Sequence, residues 1–77
     1  MRVLLDTHVW VWTQEQPERL GPRTKRLLTG TAHDTVVCPV STLEIARLVA
    51  AGYIQLSMPL DEWVAQSLAD LRAETIR

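Results

Sequence analysis

The sequence predicts an α/β fold with parallel strands, and three observations carry that expectation. The apolar run Val3-Leu4-Leu5, within a strand read over residues 2–5, and Thr35-Val36-Val37-Cys38 both read as strands. Each is followed by segments bearing helix start signals and helical spacing, the alternation expected of a parallel sheet. The first run ends abruptly in a carboxylate, Asp6, and the carboxyl end of a buried strand is where α/β folds place their ligands.

Residues 2–5 are apolar on both faces, as in a strand buried within a parallel sheet. Val9-Trp10-Val11-Trp12 reads two ways. Its β-branched and aromatic content favours a strand, whereas Asp6 and Thr7 are suited to cap a helix beginning there. Periodicity does not decide so short a run. Gln16-Pro17-Glu18 reads as a loop, and Gly21-Pro22 as a cap followed by proline at the first helical position. The helix it opens, about Arg23 to Leu28, is short and basic, with Gly30 as its stop. Pro39 closes the second strand. Ser41 is then expected to cap a helix with Ile45, Leu48 and Val49 on one face and Gly52 at its end. Asp61 is expected to cap a last helix, in which Leu60, Val64, Leu68 and Leu71 form an apolar stripe.

Composition narrows the function classes. At 77 residues the chain makes one domain at most, and a chain of this size buries only about 60% of its unfolded surface. Hydrophobic residues at 47% and charged residues at 22% argue against disorder. A net charge of −1 gives no general attraction to phosphate backbones, so nucleic-acid contact must come from a local patch. The single Cys38 forms no intramolecular disulfide and reads as a small buried hydrophobe. No signal peptide is visible and no apolar stretch reaches membrane-spanning length, so a soluble, cytoplasmic protein is expected.

The strand running into Asp6-Thr7-His8-Val9, then Ser41-Thr42-Leu43-Glu44-Ile45, Gly52 and Pro59-Leu60-Asp61-Glu62-Trp63, follow one another in a familiar order. In that order they resemble the PIN domain, in particular the VapC-like toxins of bacterial toxin–antitoxin pairs. The resemblance runs through essentially all of residues 1–77, yet covers only the first part of the family's domain. It implies a helix at Val9–Trp12, and so a truncated three-layer α/β arrangement in the order β-α-α-β-α-α. It also implies an endoribonuclease that uses Mg²⁺ or Mn²⁺ to hydrolyse RNA phosphodiester bonds, and an antitoxin protein that neutralises it.

Asp6 and Glu44 are the positions that match the family's acids, and the resemblance makes them metal ligands. Hard divalent cations take oxygen ligands and keep several waters, so one or two carboxylates hold one beside a phosphate. The metal then activates water and offsets charge on the phosphate. Each acid has a competing reading. Asp6 is a natural helix N-cap. Ser41-Thr42-Leu43-Glu44 has the spacing of a capping box, and Arg47 is a further partner for Glu44 at about 0.2–0.5 kcal/mol. By position Thr7 and Ser41 become secondary site residues, against local backbone bonding as the ordinary job of such hydroxyls. His8 matches the family's sequence and is given no catalytic role. Arg19, Arg23, Lys25 and Arg26 form the basic cluster, readable as an RNA phosphate contact or as a solvated helix face. Trp10, Trp12 and Trp63 read as core or interface.

Two of the family's three or four acids are present, and the chain stops with no glycine or proline after Ala73-Glu74-Thr75. With two strands, the edge carrying Val3, Leu4 and Leu5 is expected to lie open, a template for association. An oligomer, or pairing with a partner segment, is therefore expected. Two functions follow: the metal-dependent ribonuclease, or a catalytically inactive truncated PIN module that binds an antitoxin or itself.

Overall fold

A computed structural model of the chain describes residues 2–29 and 34–75. The elements run β1 (Arg2–Leu4), α1 (Thr7–Glu15), a 3-10 turn (Pro17–Arg19), α2 (Pro22–Thr29), β2 (Asp34–Val37), α3 (Pro39–Ala50), α4 (Leu60–Leu71) and β3 (Glu74–Thr75). The sheet is parallel throughout, in the order β1-β2-β3. Val3 lies opposite Thr35, and Val36 is flanked by Leu4 on one side and Glu74 on the other.

The α/β class with parallel strands is as expected, but the strand count is not. β3 is a third strand, two exposed residues long, that adds to the free side of β2. It carries no apolar run, so backbone pairing rather than burial defines it. β2 is thus central and buried through Thr35, Val36 and Val37, whereas β1 is an edge strand. Leu4 is 59% exposed and Val3 partly so, but Leu5 is buried; the open apolar edge is real except at Leu5.

Val9–Trp12 lies in a helix despite its strand-forming residue types. The Asp6 side chain accepts the His8 amide at 2.8 Å, the N-cap geometry, and satisfies one otherwise unpaired donor of the first turn. Thr7, Trp10 and Val11 are the buried residues of α1, spaced as one helical face. Pro22 opens α2 as expected, with the Gly21 carbonyl accepting from Lys25. The stop expected at Gly30 lies outside the described residues.

Two expected caps are corrected. α3 begins at Pro39, two residues before Ser41, with Cys38 at the N-cap and no side-chain cap bond. Proline at the first helical position costs nothing there, so the residue read as closing β2 also opens the helix. The Ser41 amide bonds the Cys38 carbonyl at 2.9 Å, so no capping box forms with Glu44. Likewise α4 has Pro59 at its N-cap, and Asp61 sits inside the first turn with Glu62, where both favour the helix dipole. Gly52 does end α3. With φ +80° it sends its amide to Val49 and that of Tyr53 to Leu48, the paired bonds of a Schellman motif. α4 ends in the same way, but with Arg72 in the left-handed position at φ 52°.

The core joins Leu5, Trp10, Val11, Val37, Ile45 and Trp63. Leu60, Val64, Leu68 and Leu71 pack against it as the expected stripe, but the fully buried centre of that face is Trp63 and Ser67. Trp10 and Trp63 meet with ring centroids 5.5 Å apart, and Trp10 Nε1 donates to Ser67 Oγ at 2.9 Å. Cys38 is only partly buried, a correction to its reading as a core residue.

Candidate metal site at the end of the first strand

Asp6 and Thr7 lie at the junction of β1 and α1, held there because the parallel ladder carries on through the Leu5 amide to the Val36 carbonyl at 3.0 Å. The turn into α1 then sends the two side chains different ways. Thr7 is buried and Asp6 exposed. Thr7 Oγ1 donates to Glu44 Oε1 at 3.3 Å, a contact between residues 37 apart in sequence. Glu44 is exposed, in the second turn of α3, and Ser41 is buried one turn before it. Residues three apart share a helix face, so Ser41 and Glu44 lie on one side of α3.

The structure therefore brings together Thr7 and Glu44 and sets Asp6 beside Thr7, with Ser41 on the same helix face as Glu44. Arg47, the other partner considered for Glu44, lines a small cavity with it but makes no ion pair with it among the described residues. His8 Nδ1 lies 3.6 Å from Asp6 Oδ1, both side chains about two-thirds exposed, so the pair adds little to stability.

Among the described residues no group of three or more His, Cys, Asp or Glu side chains converges to hold a metal. The donor chemistry nonetheless suits a hard cation. It comprises two exposed carboxylates and a hydroxyl, all oxygen, and Mg²⁺ is commonly held by one or two carboxylates with waters filling its remaining positions. Asp6 and Glu44 each commit one oxygen to an internal hydrogen bond, and each carboxylate has lone pairs left on its other oxygen.

Arg19 lies with its guanidinium 4.9 Å from the Trp12 ring centre and bonds Gln16, while Arg23, Lys25 and Arg26 are on exposed positions of α2. A feature that sequence reasoning missed is Glu15. Its Oε2 accepts both Trp63 Nε1 and Ser57 Oγ at 3.0 Å, tying the end of α1 to α4 and the preceding loop. No local pattern signals so long-range a contact.

No family model matches the sequence, and no solved structure matches the chain. Among curated proteins, Ribonuclease VapC22 of Mycobacterium tuberculosis (strain ATCC 25618 / H37Rv) is 33% identical over 70 residues. The match takes in 91% of this chain and 53% of the relative, so the chain spans about half the length of the protein it matches. This relationship, together with the parallel α/β core, places the chain in the VapC-like PIN-domain family.

Proposed function

We propose that the chain belongs to a metal-dependent endoribonuclease of the PIN/VapC type, acting in the cytoplasm on RNA and held in check by an antitoxin protein. The observation that supports the reading is the Thr7–Glu44 hydrogen bond, which joins the residue next to Asp6 to the second acid of the family pattern. Similarity to a protein named as a ribonuclease supports it.

In this reading Asp6 and Glu44 hold a single Mg²⁺ or Mn²⁺. When bound, such an ion supplies a water of lowered pKa and neutralises charge on a phosphate. The chain's own contribution is positioning. Asp6 is fixed by its cap bond to the His8 amide, and Thr7 steadies the Glu44 carboxylate through its hydroxyl. Ser41 is a secondary member, its hydroxyl lying on the same face of α3 as Glu44.

The test is cleavage of single-stranded RNA with Mg²⁺ or Mn²⁺, with excess EDTA, and with Asp6→Asn. Asparagine caps a helix about as well as aspartate, so this change removes the charge and keeps the cap. Cleavage abolished by EDTA and by Asp6→Asn is expected; cleavage that survives Asp6→Asn rules out the site.

A second reading has its own support. The free side of β1, with Leu4 59% exposed, and the exposed Val40 and Leu43 of α3 are apolar surface suited to a partner. It describes an inactive module that binds an antitoxin or a second copy of itself. A stable, well-folded monomer in analytical ultracentrifugation, together with metal-dependent cleavage, would leave it without support.

A further inference from the structure

We infer that the groove beside the candidate metal site binds a nucleotide of single-stranded RNA, with the Tyr53 ring as its stacking surface and Arg19 and Arg47 as its phosphate partners. The inference rests on the ribonuclease reading and extends it from the cut bond to a flanking base. Tyr53 is 79% exposed, the most exposed of the large hydrophobic side chains among the described residues. Its backbone is nonetheless held, since its amide closes the Schellman motif on Leu48 and Gly52 before it takes a positive φ. An aromatic ring on a fixed backbone loses little freedom when a base stacks on it.

Tyr53 and Leu48 line two adjoining cavities. One, about 250 Å³, is bordered by Glu44 and Arg47. The other, a groove of about 950 Å³, extends past His8, Trp12 and Arg19. The groove thus runs on from a carboxylate of the candidate site toward the Trp12–Arg19 stack.

Its charged lining is balanced, with Glu15 and Glu44 against Arg19 and Arg47. The Glu15 carboxylate that borders the groove is engaged by Trp63 and Ser57, while Arg19 lies exposed over the Trp12 ring. Arginine planes and aromatic rings are the groups on which unpaired bases stack whatever their sequence.

The test uses tryptophan fluorescence, because Trp10 and Trp63 are buried and Trp12 borders the groove. A single-stranded oligoribonucleotide is titrated in EDTA, so that cleavage does not intervene. Quenching is expected, lost in Trp12→Phe. Tyr53→Ala is expected to weaken binding by about 5- to 150-fold, the range for one base–aromatic stack, with Tyr53→Phe restoring it. If Tyr53→Ala binds and cleaves RNA normally while cleavage still depends on Asp6, the groove assignment is overturned and the metal site stands. If RNA is neither bound nor cleaved, the ribonuclease reading fails and takes the groove with it. Quenching by an amphipathic peptide but not by RNA overturns the inference in favour of a peptide groove.

Discussion

The two ends of α1 use their polar groups in opposite ways. From its middle to its carboxyl end, polar groups pair with α4 and the loop before it. Trp10 donates to Ser67, the Ser67 hydroxyl donates in turn to the Val64 carbonyl at 3.0 Å, and Glu15 accepts from one donor of α4 and one of the loop before it. At the amino end Asp6 and Glu44 face solvent, and the bond that joins Glu44 to Thr7 is the longer one, 3.3 Å. The first region converts polar groups into packing. The second leaves carboxylate oxygens available, which is what a ligand site requires and a stabilising network does not.

The contrast breaks first at the tryptophans. Trp63→Ala removes the largest core contact of α4 together with a donor to Glu15, and is expected to cost about 3–5 kcal/mol in urea unfolding, enough to unfold much of a chain this small. Ser67→Ala strands the Trp10 indole donor in the core and should cost about 1–3 kcal/mol, read as a lower urea midpoint at unchanged slope. At the helix ends the effects are smaller and of opposite sign. Gly52→Ala, forced to φ +80°, is expected to destabilise by about 1 kcal/mol, whereas Arg72→Gly, relieving a left-handed arginine, should stabilise by up to about 1 kcal/mol. Both are read from thermal melts. The smallest stability change is expected at Glu44→Gln, within about 0.5 kcal/mol because the side chain is exposed, while RNA cleavage is lost.

These residues also show what the sequence made legible. Local signals were reliable where one residue type has one physical use: Asp6 as a cap, Pro22 at a helix start, Gly52 at a helix end. They failed where a residue has two uses. Pro39 both ends β2 and begins α3, so the Ser41–Glu44 spacing of a capping box falls inside a helix already under way. β3 left no trace because its two polar residues are placed by pairing with β2. Ser67, being polar, fell outside an apolar stripe whose centre it occupies. The site divides in the same way. Asp6 stands out as an acid closing an apolar strand, and the family pattern pairs it with Glu44, whereas the bond from Thr7 to Glu44 across 37 residues is a tertiary contact that no local signal gives.

The central claim is that Asp6 and Glu44 hold one divalent ion between them. Titration with Mn²⁺, followed by loss of its free-ion electron paramagnetic resonance signal, tests it directly on the unaltered chain, Asp6→Asn and Glu44→Gln. The account predicts one bound Mn²⁺ per chain, lost in both variants at unchanged melting temperature. Equal binding by all three would contradict it, and Asp6 would then be a helix cap alone.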